Sequence, residues 1–187
     1  MKIKLLLAFL LVSNSYAKSP LSTEQENILQ KAYNIGKQIV ADNGTTFEWA
    51  AAGITFTESS AGKNIIGDES YTKNIREASL GSMQVRLATA KWVIKKDKLM
   101  NRYFNFLLAD NKEKRLITLL LTDIQFSAMI GITYVKMNYN SALRRKFQRP
   151  YFYAISRYNG GSHNYKYYHR FKDNVKKIKK WRGVKND

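Results

Sequence analysis

Glu58 is the residue whose type and position could do chemistry, because a carboxyl group there ends an apolar helical stripe. Phe47, Ala50, Ala51 and Ile54 precede it at three- and four-residue spacing. Eleven residues at roughly 100° each bring Glu58 to within about 20° of Phe47, so its side chain is predicted to face the packed side of a helix. Desolvation raises the pKa of a carboxyl group, which suits a general acid. A salt-bridged core glutamate is the alternative interpretation of this segment taken alone.

Three short motifs follow one another along the chain: Glu58-Ser59, Gly81-Ser-Met-Gln84 and Tyr158-Asn-Gly-Gly161. With the extensions Met83-Gln-Val-Arg-Leu-Ala-Thr-Ala90 and Ala154-Ile-Ser-Arg-Tyr-Asn-Gly-Gly161, the ordered set resembles the soluble-lytic type of lytic transglycosylase, a family with a goose-lysozyme-like fold. The match covers roughly residues 45 to 175. Leu87 stands where the family usually has proline, and Ser82 stands where it often has an aliphatic residue. The block between Gln84 and Tyr158 is longer than in many relatives. The subfamily is therefore open.

The resemblance implies that Glu58 is catalytic and that Ser59, Gly81, Met83, Gln84, Tyr158 and Asn159 bind substrate. Gly81 would let the backbone approach a sugar, and the amide of Gln84 suits N-acetyl groups. Structural interpretations stay open for each: Ser59 could orient the carboxyl or cap the helix, and Gln84 could be a capping amide. Tyr158 could be a core aromatic, and the glycines after Asn159 a plain helix stop. Ser79 is a further candidate to bond Glu58.

Most glycosidases use two carboxylates, but the sequence offers no clear second one. Asp68, Glu69 and Glu77 lie in the loop before Leu80, where acidic side chains are usually solvated. The resemblance implies a reaction without a second carboxylate, in which Glu58 protonates the glycosidic oxygen between N-acetylmuramic acid and N-acetylglucosamine. Glu58 then deprotonates the muramoyl C6 hydroxyl, which closes on C1 to give a 1,6-anhydro end. Neither a metal nor an organic cofactor is expected, and the spacing of His163 and His169 is not that of zinc ligands.

The first seventeen residues are typical of an export signal. Lys2 and Lys4 precede the apolar run Leu5 to Val12, and small residues stand near Ala17. The run is shorter than the roughly 20 residues of a membrane span, although a retained anchor is an alternative. We therefore expect a signal peptide at 1–17, one lysozyme-like domain at 18–187, no membrane span after signal removal, and a periplasmic or secreted protein. The chain has no cysteine, so an exported product must be stable without disulfides.

The chain is strongly basic, with a formal net charge of +18. Such a charge favours anionic partners, of which a bacterial wall with free peptide carboxylates fits the resemblance. We expect peptidoglycan glycan strands as the partner, a cell-envelope secretion or conjugation complex as a further candidate, and no nucleic acid. The alternatives are a goose-type muramidase, a non-catalytic wall-binding protein of a secretion machine, and an exported nucleic-acid binder. Basic runs such as Arg144-Arg-Lys146 and Lys172 to Arg182 are usually solvated faces.

The periodicity predicts a mainly α fold: a lysozyme-like helical domain with a short loop or β-hairpin beside the active-site cleft. A first helix begins at the capping boxes around Ser22 and stops at Asn43-Gly44, and a second is opened by Thr45-Thr-Phe-Glu48. Further helical stretches are predicted at Leu87 to Lys95, Leu99 to Leu121, Asp123 to Tyr139, a segment ending near Tyr158, and a basic terminal helix after Ser162. Leu116 to Val135 is predicted to be a buried central helix, with a membrane span as the alternative.

Overall fold

The computed structural model describes residues 20–67, 74–161 and 163–181. The described residues form eight α-helices and one small antiparallel sheet, which confirms the predicted mainly α fold. The proposed signal peptide lies outside the described residues, and so do Asp68 and Glu69. In chain order the helices are α1 Thr23–Gln38, α2 Glu48–Ser59, α3 Leu87–Lys96, α4 Lys98–Phe104, α5 Glu113–Thr122, α6 Ile124–Arg144, α7 Pro150–Tyr158 and α8 Tyr165–Trp181.

Helix α1 begins as the sequence predicts, but its end and the start of α2 differ. Ser22 and Gln25 form the capping box at the start of α1. The helix ends at Gln38, before the predicted stop at Asn43-Gly44, because the chain turns there and Val40 pairs with Thr46 in an antiparallel bridge. That pairing extends the chain through Thr46, so α2 starts at Glu48 without a side-chain cap. The predicted threonine cap of α2 is therefore wrong.

The loop after α2 contains a three-stranded antiparallel sheet rather than a single hairpin. Its strands are β1 Ile66–Gly67, β2 Ser79–Leu80 and β3 Val85–Arg86, in the order β1-β2-β3. Leu80 pairs with Ile66 on one side and with Val85 on the other. The tight connection between β2 and β3 contains Gly81 to Gln84, so the second sequence motif is a β-turn region that leads directly into α3.

The predicted helical stretch from Leu99 to Leu121 is broken. Helix α4 ends at Phe104, and two short 3₁₀ segments, Asn105–Leu108 and Asp110–Lys112, lead to α5. Asp97 caps α4 by accepting hydrogen bonds from the N–H groups of Leu99 and Met100. The cap turns the chain between α3 and α4, so that α3 packs against the long helix α6 while both α3 and α4 contact the first 3₁₀ segment.

Helix α6 is the buried central helix that the sequence predicts, although Asp123 separates it from α5. Asp123 caps α6 through the N–H of Phe126. No single described helix is long and apolar enough to cross a membrane. Asp110–Thr122 and Ile124–Arg144 together have the length and the apolar composition of a membrane span. The two segments are bent by 96° relative to each other. The interior of α6 is fully buried at Ala128, Ile130, Ile132 and Val135.

Helix α2 is the second buried element, and it carries Glu58. It packs between α1 and α8 and also contacts α6. Tyr167, Phe171 and Ile178 form the buried stripe of α8. The lysines and arginines of α8 lie mostly on its exposed side, as expected for a solvated basic face. Glu58 is thus held by a helix whose other neighbours are almost all core residues.

Candidate active site

Glu58 lies one residue before the end of α2 and is half-buried. The stripe that precedes it is fully enclosed, since Phe47, Ala50, Ala51 and Ile54 are at most 1% exposed. The carboxyl follows that stripe toward the interior, and its Oε1 atom is shielded from solvent. The chain leaves the helix through Ser60 in a left-handed conformation, and Gln25 of α1 donates a hydrogen bond to the Ser60 carbonyl at 2.9 Å. The helix end that presents Glu58 is therefore fixed from outside.

Glu58 opens into a cavity of about 420 Å³ that is lined by parts of all three sequence motifs. Gln84 enters from the β2–β3 turn, and Tyr158 and Asn159 enter from the end of α7. Ser79 of β2, the further candidate from the sequence, also lines this cavity. The volume lies within the range of about 300–1,000 Å³ that is usual for small-ligand sites. The other lining residues are Val85, Arg86, Thr89, Gly131, Tyr134, Arg157 and Gly160.

Tyr158 presents a phenol that is held in place and stays protonated. Its hydroxyl donates a hydrogen bond to the Met83 carbonyl at 2.7 Å. Burial raises the pKa of Tyr158 well above its usual value, and the charges of Glu58 and Tyr134 raise it further. The phenol proton therefore stays in the hydrogen bond to the Met83 carbonyl. This bond joins the motif that contains Met83 to the motif that contains Tyr158.

Tyr167 is a residue beside Glu58 that the sequence motifs do not contain. It is 3% exposed, and it lies on the buried stripe of α8 that faces α2. Burial raises the pKa of Tyr167 well above its usual value, and the neighbouring Glu58 carboxylate adds to the rise. The hydroxyl lies close enough to Glu58 for a hydrogen bond between them to contribute to this rise, although the bond is not well aligned. Only the helical periodicity of Tyr167, Phe171 and Ile178 could have signalled that it faces inward.

Ser59 lies in the interior, away from the cavity wall, and its contact with substrate stays a prediction. It is fully buried, and its hydroxyl lies 2.9 Å from the Thr55 carbonyl and 2.7 Å from the Ser82 carbonyl. The same hydroxyl accepts a hydrogen bond from the Gly62 N–H at 2.8 Å. Ser59 therefore ties the end of α2 to the β2–β3 turn, so that the turn and Glu58 hold a fixed relative position.

Gly81 allows the β2–β3 turn to lie close to the backbone of α5. Its φ is +72°, and a Cβ built there would lie 1.8 Å from the Leu120 carbonyl oxygen at the end of α5. Any side chain would push the β2–β3 turn away from α5. Gly81 is also buried and does not line the cavity, and its approach to a sugar stays a prediction.

Met83 is likewise a support for the site rather than a surface within it. Its side chain is fully buried, and its sulfur accepts a hydrogen bond from the Thr55 hydroxyl at 2.9 Å. Gly131 of α6 leaves the space that Met83 and Tyr158 occupy, since a Cβ there would lie 2.7 Å from Met83 Cε and 2.8 Å from the Tyr158 hydroxyl oxygen. The Met83 side chain therefore packs behind the cavity wall, and its contact with substrate stays a prediction.

Gln84 both lines the cavity and closes the turn that contains it. Its Nε2 donates hydrogen bonds to the Asn64 and Gly81 carbonyls, each at 2.9 Å. Its φ is +51°, an uncommon conformation for a residue with a side chain. The amide is therefore already engaged with the backbone on its donor side. Its oxygen lies against Gly67, where a Cβ would come within 1.9 Å of it.

Asn159 is exposed at the rim of the cavity. It caps the end of α7, and Asn164 donates to both its carbonyl and its side-chain oxygen at 3.3 Å. The motif glycine that follows, Gly160, has a φ of +81°. Asn159 and Gly160 both line the cavity, so the motif ends the helix and forms part of the wall at the same time.

Glu58 is the one carboxylate that lines this cavity within the described part of the chain. Glu77 is exposed and lies away from the lining, while Asp68 and Glu69 fall in the segment 68–73 that the structure does not describe. Over residues 20–67, 74–161 and 163–181, no group of three or more acidic or histidine side chains is arranged to hold a metal ion. The described lining thus combines this one carboxylate with the guanidinium groups of Arg86 and Arg157.

No protein-family model matches the chain, and no curated protein or solved structure is significantly similar to it.

Proposed function

We propose that the protein is an exported peptidoglycan lytic transglycosylase with a lysozyme-like helical domain. It cleaves the β-1,4 bond between N-acetylmuramic acid and N-acetylglucosamine and leaves 1,6-anhydro ends. The observation that carries this proposal is one cavity in which Glu58 meets Gln84, Tyr158 and Asn159, which come from three motifs up to a hundred residues apart. These are the positions that the resemblance to the soluble-lytic family implies.

In the first step, Glu58 donates its proton to the glycosidic oxygen while the C1–O bond breaks. Positive charge then develops on the sugar ring, and the sugar's own acetamido group stabilises it. The Oε1 atom of Glu58 is shielded from solvent, so the proton can pass to the glycosidic oxygen away from bulk water. Tyr158 cannot take over this role, because its proton is held on the Met83 carbonyl and its pKa is far above neutral.

In the second step, the Glu58 carboxylate takes the proton from the C6 hydroxyl of the muramoyl residue. The C6 oxygen forms a bond to C1 and closes the anhydro ring, and Glu58 returns to its protonated state. No water is consumed, and neither a metal nor an organic cofactor is required. A cavity with a single described carboxylate supports this route over one that needs a second carboxylate to activate water.

The proposed setting is the bacterial cell envelope, either the periplasm or the exterior. The apolar N-terminal run after Lys2 and Lys4 supports export. The partner is the glycan strand itself. A secretion or conjugation complex that needs a local opening in the wall is a further partner that fits such an enzyme.

The test is Glu58→Gln, with mass spectrometry of the muropeptides released from cell-wall sacculi. The amide keeps the size of the side chain but has no proton to give, so we expect release to fall by about 10²–10⁴-fold while the protein stays folded. The wild-type products should be 1,6-anhydro muropeptides.

Two results would contradict the proposal. Reducing ends that carry an added water would identify a muramidase, with Asp68 or Glu69 as the second carboxylate to test. Binding to sacculi without any released product from the wild type would identify a wall-binding protein.

A further inference from the structure

A second and larger cavity adjoins the one that contains Glu58. Its volume is about 950 Å³, and it lies between the end of α3, the start of α4, the C-terminal half of α6, and α7. Thr89, Tyr134 and Arg157 line both cavities. The two therefore share a wall, and an extended molecule can occupy both.

The lining of the second cavity carries an excess of positive charge. Six basic side chains line it against two carboxylates, Asp42 and Asp97. Lys136 pairs with Asp97 at 2.6 Å and Arg144 with Asp42 at 3.4 Å. The other four basic residues form no ion pair with a described carboxylate, and they are Lys96, Lys98, Arg145 and Arg157. Unpaired cations around a concave surface attract anionic groups.

Aromatic rings connect the two cavities. Tyr158, beside Glu58, contacts Tyr134 edge to face with ring centroids 6.1 Å apart. Tyr134 in turn contacts Trp92 at 5.9 Å, and Trp92 is 43% exposed in the second cavity. Flat apolar rings beside cations suit a ligand that has both an apolar stem and charged ends.

We propose that the second cavity binds the carboxylate-bearing stem peptides of the same polymer whose glycan lies in the Glu58 cavity. This inference rests on the proposed function. In the intact polymer the lactyl carboxyl of N-acetylmuramic acid is joined to the peptide as an amide, so the sugars themselves are neutral and give four unpaired cations nothing to bind, whereas the peptide carboxylates do. Asp42, whose side chain is 65% exposed, offers a carboxylate to a peptide ammonium group. The mixture of charges fits a peptide better than a nucleic acid, whose phosphates are all anionic.

The experiment compares glycan strands that carry their stem peptides with strands from which an amidase has removed them. The lactyl carboxyl groups that the amidase frees are then blocked as N-methylamides, so that the peptide-free strands are neutral. Binding is measured in the Glu58→Gln background, so that the strands are not consumed. The test variant adds Lys98→Ala and Arg145→Ala, which remove two of the unpaired cations at exposed positions. The control variant adds Lys177→Ala and Lys180→Ala, which remove the same charge from the exposed side of α8, outside both cavities.

We expect the Glu58→Gln protein to bind peptide-bearing strands more tightly than peptide-free strands. The test pair should reduce that preference about fivefold, since two partly exposed charge contacts contribute on this scale. Its affinity for peptide-free strands should stay close to that of the parent, and the control pair should leave the preference unchanged.

The binding results that would contradict the peptide site differ from those that would contradict the proposed function. Equal binding of the two kinds of strand, or equal loss in the test and control pairs, overturns the peptide site and leaves the transglycosylase proposal standing. If neither kind of strand binds, the proposed function fails as well. A single-stranded oligonucleotide that displaces the peptide-bearing strands in a manner dependent on Lys98 and Arg145 would assign the cavity to nucleic acid.

Discussion

Two tyrosine hydroxyls lie beside the Glu58 carboxyl, and they are in different states. The Tyr158 hydroxyl donates its hydrogen bond to the Met83 carbonyl, so it fixes the cavity wall. Tyr167 has no such commitment to a described backbone group, and it is close enough to Glu58 for the carboxylate to raise its pKa. A small rotation would let Tyr167 donate to the ionised carboxylate that forms after the first step.

Replacing Tyr167 with phenylalanine should therefore change the pH dependence of catalysis. The hydroxyl would stabilise the ionised form of Glu58, so its loss favours the protonated form. A general acid works at pH values below its own ionisation, so we expect the alkaline limb of the kcat/KM profile to move upward. Tyr165→Phe, the same change at an exposed position on α8, is the control. An unchanged profile in Tyr167→Phe would show that this hydroxyl has no influence on Glu58.

Substitutions at Gly131 and Tyr158 should have coupled effects on the free energy of unfolding. Alanine inside a helix is usually favourable relative to glycine by up to about 1 kcal/mol, but here its Cβ would press on Met83 and on the Tyr158 hydroxyl. We expect Gly131→Ala to lower the free energy of unfolding by about 1 kcal/mol and to reduce activity, because Tyr158 must move. In a Tyr158→Phe background the missing hydroxyl relieves part of this contact, so the loss of stability should be smaller. Additive effects in urea denaturation would refute the coupling.

At the scale of elements, Asp97 holds the junction between α3, α4 and α6. It caps α4, and it pairs with Lys136 of α6 while its side chain is only 10% exposed. Burial alone would raise the pKa of Asp97, but the hydrogen bond from Lys136 and those from the backbone N–H groups lower it below its usual value. Asp97 forms one wall of the second cavity, so this junction also shapes a proposed binding surface.

Asp97→Asn should reduce stability in a pH-dependent way. A carboxyl whose pKa is lowered on folding contributes stability above its unfolded pKa, near 4, and that contribution disappears as the pH falls through the folded value. We expect a loss of about 2 kcal/mol near neutral pH and a much smaller loss at low pH. Urea unfolding at both pH values measures it. Asp110→Asn, at an exposed carboxyl, is the control and should change little. An equal loss at both pH values would assign the effect to something other than the ion pair.

The elements could be predicted from the sequence where local signals were sufficient. The capping box at Ser22 and the apolar period of α6 gave the right helices. The start of α2 was wrong because the bridge between Val40 and Thr46, a pairing that closes only in the folded chain, overrides the threonine cap. The break after Phe104 was also missed, because 3₁₀ segments have no distinct apolar period.

The site could be predicted only in part, for a related reason. Glu58, Gln84, Tyr158 and Asn159 were candidates from motifs, and they do meet at one cavity. Ser59, Gly81 and Met83 belong to the same motifs but support the site from within, because motif membership does not tell which way a side chain points. Tyr167 and Gly131 come from helices that no motif covers, and only tertiary packing brings them to Glu58.

At the scale of the whole molecule, the charge is as important as the fold. The net charge of +18 is spread over the chain, with seven basic residues against one acidic residue on α8. Most of these side chains are exposed, so they contribute long-range attraction rather than folding stability. An anionic cell wall would attract such a protein before any contact forms in the cavity.

Binding of Glu58→Gln to whole sacculi should therefore depend strongly on salt. Raising the ionic strength from about 0.1 M to about 1 M shortens the Debye length from about 10 Å to about 3 Å, and we expect the affinity to fall about tenfold. A neutral polymer of N-acetylglucosamine is the control, since its binding should hold. Salt-independent binding to sacculi would show that the exposed cations do not contribute to wall association.

The hydrogen bonds that hold the Glu58 cavity together end on main-chain carbonyls, and this bears on how such a site can diverge. Ser59 bonds to the backbone of Ser82, Tyr158 to that of Met83, and Gln84 to that of Gly81. A carbonyl is the same for every amino acid, so substitution at an accepting position such as Ser82 leaves the bond in place. Related chains can therefore differ widely in the sequence of the turn while they keep the donor residues and the geometry of the cavity. Structural similarity would then remain detectable after sequence similarity is lost.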